Sequence, residues 1–159
     1  MPALDASSAI HAWDNYPIEQ FPPLWAWLAA QIASSQLTIA AVAMDEVGKK
    51  SPDCAAWLKA QDITVLPITQ ALLTDALRIK ALLGIAGDRY GTGVGENDLF
   101  IIATIRAHGV ELLTEEGRQP SLPVDMKKYK IPAVCALPDV RVSCLNFVDY
   151  FKRSKVVFG

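Results

Sequence analysis

At 159 residues the chain has the length of one compact domain, and a 52% hydrophobic content supplies ample core, so one domain over 1–159 is expected. Lysine and arginine number 15 against 17 acids, and the net charge of −2 excludes the strongly basic balance of a protein that coats nucleic acid. The longest apolar stretches, Leu24 to Ala33 and Leu37 to Met44, fall short of the roughly 20 residues a bilayer crossing needs, and no basic start followed by an apolar run marks a secretory signal, so a cytoplasmic, membrane-free protein is expected.

In chain order, Ala3 and Leu4 end a short first strand, after which Asp5, Ser7 or Ser8 can cap a helix through His11 and Trp13. Tyr16 to Pro23 holds three prolines and reads as a loop; Leu24, Trp25, Leu28, Ala29 and Ile32 then recur at helical spacing. Leu37 to Ala41 fits either a second strand or the start of a helix carrying Asp45, Glu46 and Val47. Ser51, Pro52 and Asp53 open another helix, with proline near its first turn. Val65 and Leu66 suggest a brief strand, and Thr69 to Leu83 is apolar enough for a helix buried over much of its circumference.

Five glycines between Gly84 and Gly95 then predict a permissive, mobile break. Asn97 or Asp98 can cap the next helix, which ends at His108 and Gly109. Val110 to Leu113 reads as a buried strand delivering Thr114, Glu115 and Glu116 to its far end. Lys130 to Cys135 and Val140 to Cys144 suggest further short strands, and Phe147 to Arg153 a terminal helix. Strands alternating with helices signal a parallel sheet covered by helices.

That order brings Asp5, Asp98 and Glu116 to one edge of the sheet, where open α/β folds place ligands, with Glu46 on a helix able to lean over the same edge. Carboxylate oxygens are hard ligands suited to Mg²⁺ or Mn²⁺, and such ions catalyse phosphodiester hydrolysis. Taken singly, each acid has a duller explanation: Asp5 and Asp98 as helix caps, Glu46 and Glu116 as exposed acids. Other motifs are weaker. Gly91-x-Gly93-x-Gly95 lacks the strand before and the Gly-Lys-Ser/Thr after that a phosphate loop needs, and two histidines are too few for a histidine metal site. Cys54, Cys135 and Cys144 form an odd set without a C-x-x-C pair, which reads as buried thiols. Three basic groups, Lys49 with Lys50, Lys127 to Lys130, and Lys152 with Arg153 and Lys155, are more simply solvated faces.

Leu4-Asp5-Ala6-Ser7-Ser8-Ala9-Ile10 resembles the opening of PIN domains, an acid followed two positions later by Ser, Thr or Asn. Ala40 to Val47 resembles the segment carrying that family's glutamate, and Glu96 to Gly109 resembles its stretch of acid, apolar helix and His-Gly. Val110 to Glu116 resembles the closing strand with its T-x-D end, although glutamate stands at 116 where aspartate is usual. Trp13, Tyr16, Pro17, Phe21, Pro22, Leu24, Trp25, Trp27 and Leu28, with Lys130-Ile131-Pro132 and Val134-Cys135, are similar to a narrower bacterial and archaeal PIN-like group of undetermined function.

The resemblance implies a three-layer α/β/α sandwich with a mostly parallel central sheet and the VapC-like nuclease fold. It implies an Mg²⁺- or Mn²⁺-dependent endoribonuclease, with RNA as substrate and an antitoxin protein or a second copy as partner. Asp5, Glu46, Asp98 and Glu116 are then the catalytic and metal-binding residues, with Asp45 and Glu115 as alternates and Ser7 and Thr114 in support. The alternative is a non-catalytic PIN-like interaction module, using the aromatic segment from Trp13 to Trp27 as its contact surface.

Overall fold

The computed structural model describes residues 1–159. Five short strands, β1 (Pro2–Leu4), β2 (Thr38–Ala40), β3 (Val65–Leu66), β4 (Glu111–Leu113) and β5 (Cys144–Leu145), form one sheet in the order β3-β2-β1-β4-β5. Every pairing is parallel, with Leu4 opposite Ile39 on one side and Leu113 on the other. Successive strand residues point to opposite faces, yet Ala3, Leu4, Leu112 and Leu113 are all at most 2% exposed. Both faces of the central strands are therefore covered, as a parallel sheet requires.

The covering helices are α1 (Ala6–Asn15), α2 (Pro22–Ala33), α3 (Ala41–Lys50), α4 (Pro52–Ala60), α5 (Gln70–Leu82), α6 (Glu96–His108), α7 (Ile131–Cys135) and α8 (Phe147–Ser154). None is long and apolar enough to cross a membrane. Helix α6 buries the most residues: Leu99, Ile101, Ile102, Ala103, Thr104 and Ile105. It ends at Gly109, whose φ of 62° is the left-handed conformation that closes a helix and that glycine adopts without a Cβ clash.

Several sequence expectations are corrected. Lys130 to Cys135 is not a strand: Lys130 precedes α7, whose second residue, Pro132, fits a helix first turn and would deny a strand its N–H. Helix α5 buries only a stripe, Leu72, Ala76 and Ile79, and leaves Leu77 63% exposed. Helix α6 opens at Glu96, so neither Asn97 nor Asp98 is its cap residue. The glycine-rich break is pinned rather than loose. Val94 N–H donates to the Tyr129 carbonyl at 2.9 Å and Gly93 N–H to that of Lys127 at 3.3 Å. A Cβ on Gly91 would meet the Lys127 carbonyl oxygen at 2.6 Å, and one on Gly93 would collide with that of Tyr129. Absence of a side chain lets two backbones touch here.

The tryptophans of the aromatic segment turn inward. Trp25 is 4% exposed, donates its indole N–H to the Tyr16 carbonyl at 2.6 Å, and lies edge-on to Trp13 and Trp57 at 5.4 and 4.8 Å. Trp27 packs on Tyr150, Phe151 and Phe158 of the C-terminal segment. The tryptophans of the segment expected to form a contact surface are thus tied into internal packing, while its proline-rich middle, Pro17 to Pro23 with Ile18 and Phe21, stays exposed.

Candidate metal centre at the C-terminal edge of the sheet

Strands β1 and β4 run side by side, and the residues that follow them, Asp5 and Thr114 to Glu116, emerge together at the C-terminal edge. Asp5 N–H donates to the Leu113 carbonyl at 3.0 Å, extending that pairing by one step. The Asp5 carboxylate then turns onto the start of α1. Its Oδ1 accepts from Ser8 N–H at 2.8 Å as the helix cap, and the Ser7 hydroxyl donates within 2.8 and 2.9 Å of its two oxygens. At 3% exposure Asp5 is a buried acid. Burial pushes its carboxyl up from the usual range, opposed by hydrogen bonds from Thr114, Ser8 and Ser7.

Around Asp5 opens a cleft of about 380 Å³ lined by Glu46, Asp98 and Glu116, by Ser7 and by Lys50. Asp98, third in α6, reaches back so that Oδ2 accepts from Gly95 N–H at 2.9 Å, half of a capping box. Its carboxyl is pushed up by burial and by repulsion from Glu46 and Asp5, against the Gly95 N–H and the Lys50 charge. Glu116 Oε2 accepts from the first N–H of α7, Ile131, at 2.7 Å; burial and Asp98 push its carboxyl up, against that N–H and Lys130. Glu46 Oε1 accepts from the Asn97 amide at 2.9 Å.

The neighbouring acids lie elsewhere. Asp45 is exposed and outside the cleft, about 100° around α3 from Glu46. Glu115 faces the other way, its Oε1 accepting from Phe147 N–H at 2.8 Å and its Oε2 lying 3.9 Å from His11 Nε2. Thr114 and Ser7 form a small hub between the strands. Their hydroxyls are 3.4 Å apart, Glu115 N–H donates to the Ser7 Oγ at 3.1 Å, and Glu116 N–H to the Thr114 Oγ1 at 3.2 Å.

Two residues that touch or accompany the cleft acids, Asn97 beside the cleft and Lys50 in its lining, lie outside the set expected from the sequence. Asn97 was read only as a cap, whereas its amide holds Glu46. Lys50 was grouped with surface lysines, although its i,i+4 spacing from Glu46 signals one helix face. Among the other basic groups, Arg153 is tied to Glu111 at 2.7 Å.

Hard-cation chemistry fits this donor set. Every acidic donor is a carboxylate oxygen, and the four acids face a single lysine. In Glu46, Asp98 and Glu116 one oxygen accepts a hydrogen bond and the second accepts none. No three of the acids converge into a ready-made coordination group, so ligation would combine few carboxylates with water, the habit of Mg²⁺.

A family model described as "Domain of unknown function (DUF4411)" matches residues 3–158. No curated protein matches the sequence. Among solved structures, the chain is similar to one in VapBC2 from Rickettsia felis bound to a DNA fragment from its promoter, at TM-score 0.57 and 14% identity, covering 92% of this chain and 98% of that one. It is also similar to a chain of DNA-bound VapBC from Salmonella typhimurium, at TM-score 0.56 and 18% identity, covering 91% and 96%. With its all-parallel five-stranded sheet flanked by helices, the molecule has the PIN fold of the VapC type.

Proposed function

The chain belongs to the family described as "Domain of unknown function (DUF4411)", and from its PIN fold and acidic cleft we propose that it is a metal-dependent endoribonuclease. The observation that carries the reading is the lining of one cleft by Asp5, Glu46, Asp98 and Glu116, drawn from positions far apart in the chain. Mg²⁺ or Mn²⁺, when bound, would polarise a phosphoryl oxygen and lower the pKa of water. The roles assigned to the protein follow from contacts. Asp5 is the fixed ligand, immobilised by Ser7 and Ser8; Asp98 and Glu116 present their free oxygens from the ends of α6 and of the loop leading to α7. Glu46 supplies the fourth carboxylate, steadied by Asn97. Asp45 and Glu115, turned away, have no part in it. Lys50 offers a positive group for a substrate phosphate. The likeness to VapBC complexes extends the proposal to a toxin restrained by an antitoxin protein.

The test is cleavage of structured and unstructured RNAs by the purified chain with Mn²⁺, with chelator, and with Asp5→Asn. Cleavage that requires the metal and vanishes in the variant is expected. A folded wild type inert on every RNA, or an Asp5→Asn variant as active as wild type, overturns the reading.

A further inference from the structure

The segment 127–131, a basic stretch that reads from sequence as a solvated face, is fastened on two sides. Toward α6, Gly93 N–H donates to the Lys127 carbonyl at 3.3 Å and Val94 N–H to that of Tyr129 at 2.9 Å. The next N–H along, that of Gly95, holds Asp98 Oδ2 at 2.9 Å. On the other side stands Gln119, whose carboxamide makes two bonds to the same segment. Its Nε2 donates to the Lys128 carbonyl at 3.1 Å and its Oε1 accepts from Lys130 N–H at 3.0 Å. The N–H that follows is that of Ile131, which donates to Glu116 Oε2 at 2.7 Å.

Hydrogen bonds therefore run from one cleft carboxylate to another through a single stretch of backbone. Tyr129 and Lys130 are extended, so successive backbone groups face opposite sides and one segment serves both partners. A carboxamide suits the inner side because it carries a donor and an acceptor on one planar group, and both are used. Gln119 itself is absent from the cleft lining.

We infer that Gln119 is a positioning residue for the cleft: by locking 127–131 it sets the spacing between Asp98 and Glu116. These two acids repel one another when ionised, so their approach needs an external hold. A small hard cation accepts carboxylates only within a narrow geometry, and a shift of the segment would carry the two acids apart. That a cation occupies the cleft rests on the nuclease reading; the lock does not.

The test uses the full chain without RNA. Amide hydrogen exchange followed by NMR in chelator reports the lock, and titration with Mn²⁺ reports its consequence. In Gln119→Leu, which keeps the bulk and removes both bonds, exchange at Val94, Gly95 and Ile131 should quicken at least about tenfold, while Leu112 and Leu113 of β4 stay as in wild type. Mn²⁺ should bind about tenfold more weakly. Gln119→Glu keeps the acceptor and loses the donor, so exchange should quicken at Val94 and stay near wild type at Ile131; it decides the matter if the leucine variant does not fold. Unchanged exchange at Val94 and Ile131 in Gln119→Leu, or equal quickening in β4, overturns the lock. Quickened exchange with unchanged Mn²⁺ affinity overturns the positioning role while leaving the metal reading intact. A wild type that binds no Mn²⁺ overturns the metal reading and the positioning role together.

Discussion

Asp5 has two jobs, helix cap and cleft carboxylate, and substitution can separate them. Asn keeps the capping oxygen and removes the charge, so Asp5→Asn should lower RNA cleavage on the order of 100-fold or more while leaving the protein folded. Ala removes both, and Asp5→Ala should additionally lose about 1 kcal/mol of stability in urea unfolding. Asn97→Ala releases Glu46 without touching a carboxylate; it should lower activity by roughly 10-fold and raise the Mn²⁺ concentration needed for half-activity. The raised carboxyls of Asp5, Asp98 and Glu116 also bear on pH. A native pKa above the unfolded one means that the folded state keeps protons the unfolded chain releases, so this stabilisation is full in acid and is lost as pH rises through the native values. In chelator, the wild type should lose melting temperature through these groups as pH rises above the ordinary carboxylate values of 3.8 for aspartate and 4.5 for glutamate. Asp98→Asn should flatten that slope, and a slope identical to wild type would remove Asp98 from the account. The resemblance to PIN-domain motifs, rather than spacing alone, singles out Asp5 and Asp98 in the sequence, and both line the cleft. Asn97 was hidden because its partner, Glu46, lies 51 positions away, and an amide signals a partner only once the chain has folded.

Single elements make equally sharp contrasts. Gly93 lies where the chain before α6 presses on the Tyr129 backbone, so Gly93→Ala forces one segment away from the other and should destabilise by about 1–3 kcal/mol. Gly48 sits within α3 with nothing near its would-be Cβ, and Gly48→Ala should stabilise by about 0.5–1 kcal/mol through helix propensity. Thermal or urea denaturation of both variants checks the pair, and a matched effect on the two would contradict the packing argument. The same contact explains why a glycine run was misread as mobile: composition reports what a backbone can do, and the partner that restrains it comes from 127–129. Periodicity found α6 and β4 because their apolar runs are bounded by strong stop signals. It misjudged α7, where five residues are too few to display a period and Ile131, Val134 and Cys135 look equally apolar in either conformation.

For the molecule as a whole, alternating strands and helices were enough to read a parallel α/β fold, since that alternation is local. What covers what was not local. The alternative reading made the tryptophans a contact surface because part of what encloses them is distant in sequence: Trp57 of α4 packs on Trp25, beside Trp13 of its own segment, while Tyr150, Phe151 and Phe158 pack on Trp27. Trp25→Ala should therefore act as a core truncation, lowering stability by about 3–5 kcal/mol in urea unfolding. That is a large part of the roughly 5–15 kcal/mol of a typical domain, and a loss under about 1 kcal/mol would place Trp25 outside the core. The strand order has one more implication, for synthesis. Of the five strands β1 is made before the others, yet it occupies the middle of the sheet, between a neighbour at 38–40 and another at 111–113. A growing chain on the ribosome thus carries its central strand with one edge bare until residues 111–113 have been translated, a state that invites wrong pairing and chaperone attention. Through that whole interval Asp5 is present without Glu116. The acidic cleft comes into being late in translation, and a chain stalled before residue 116 never acquires it.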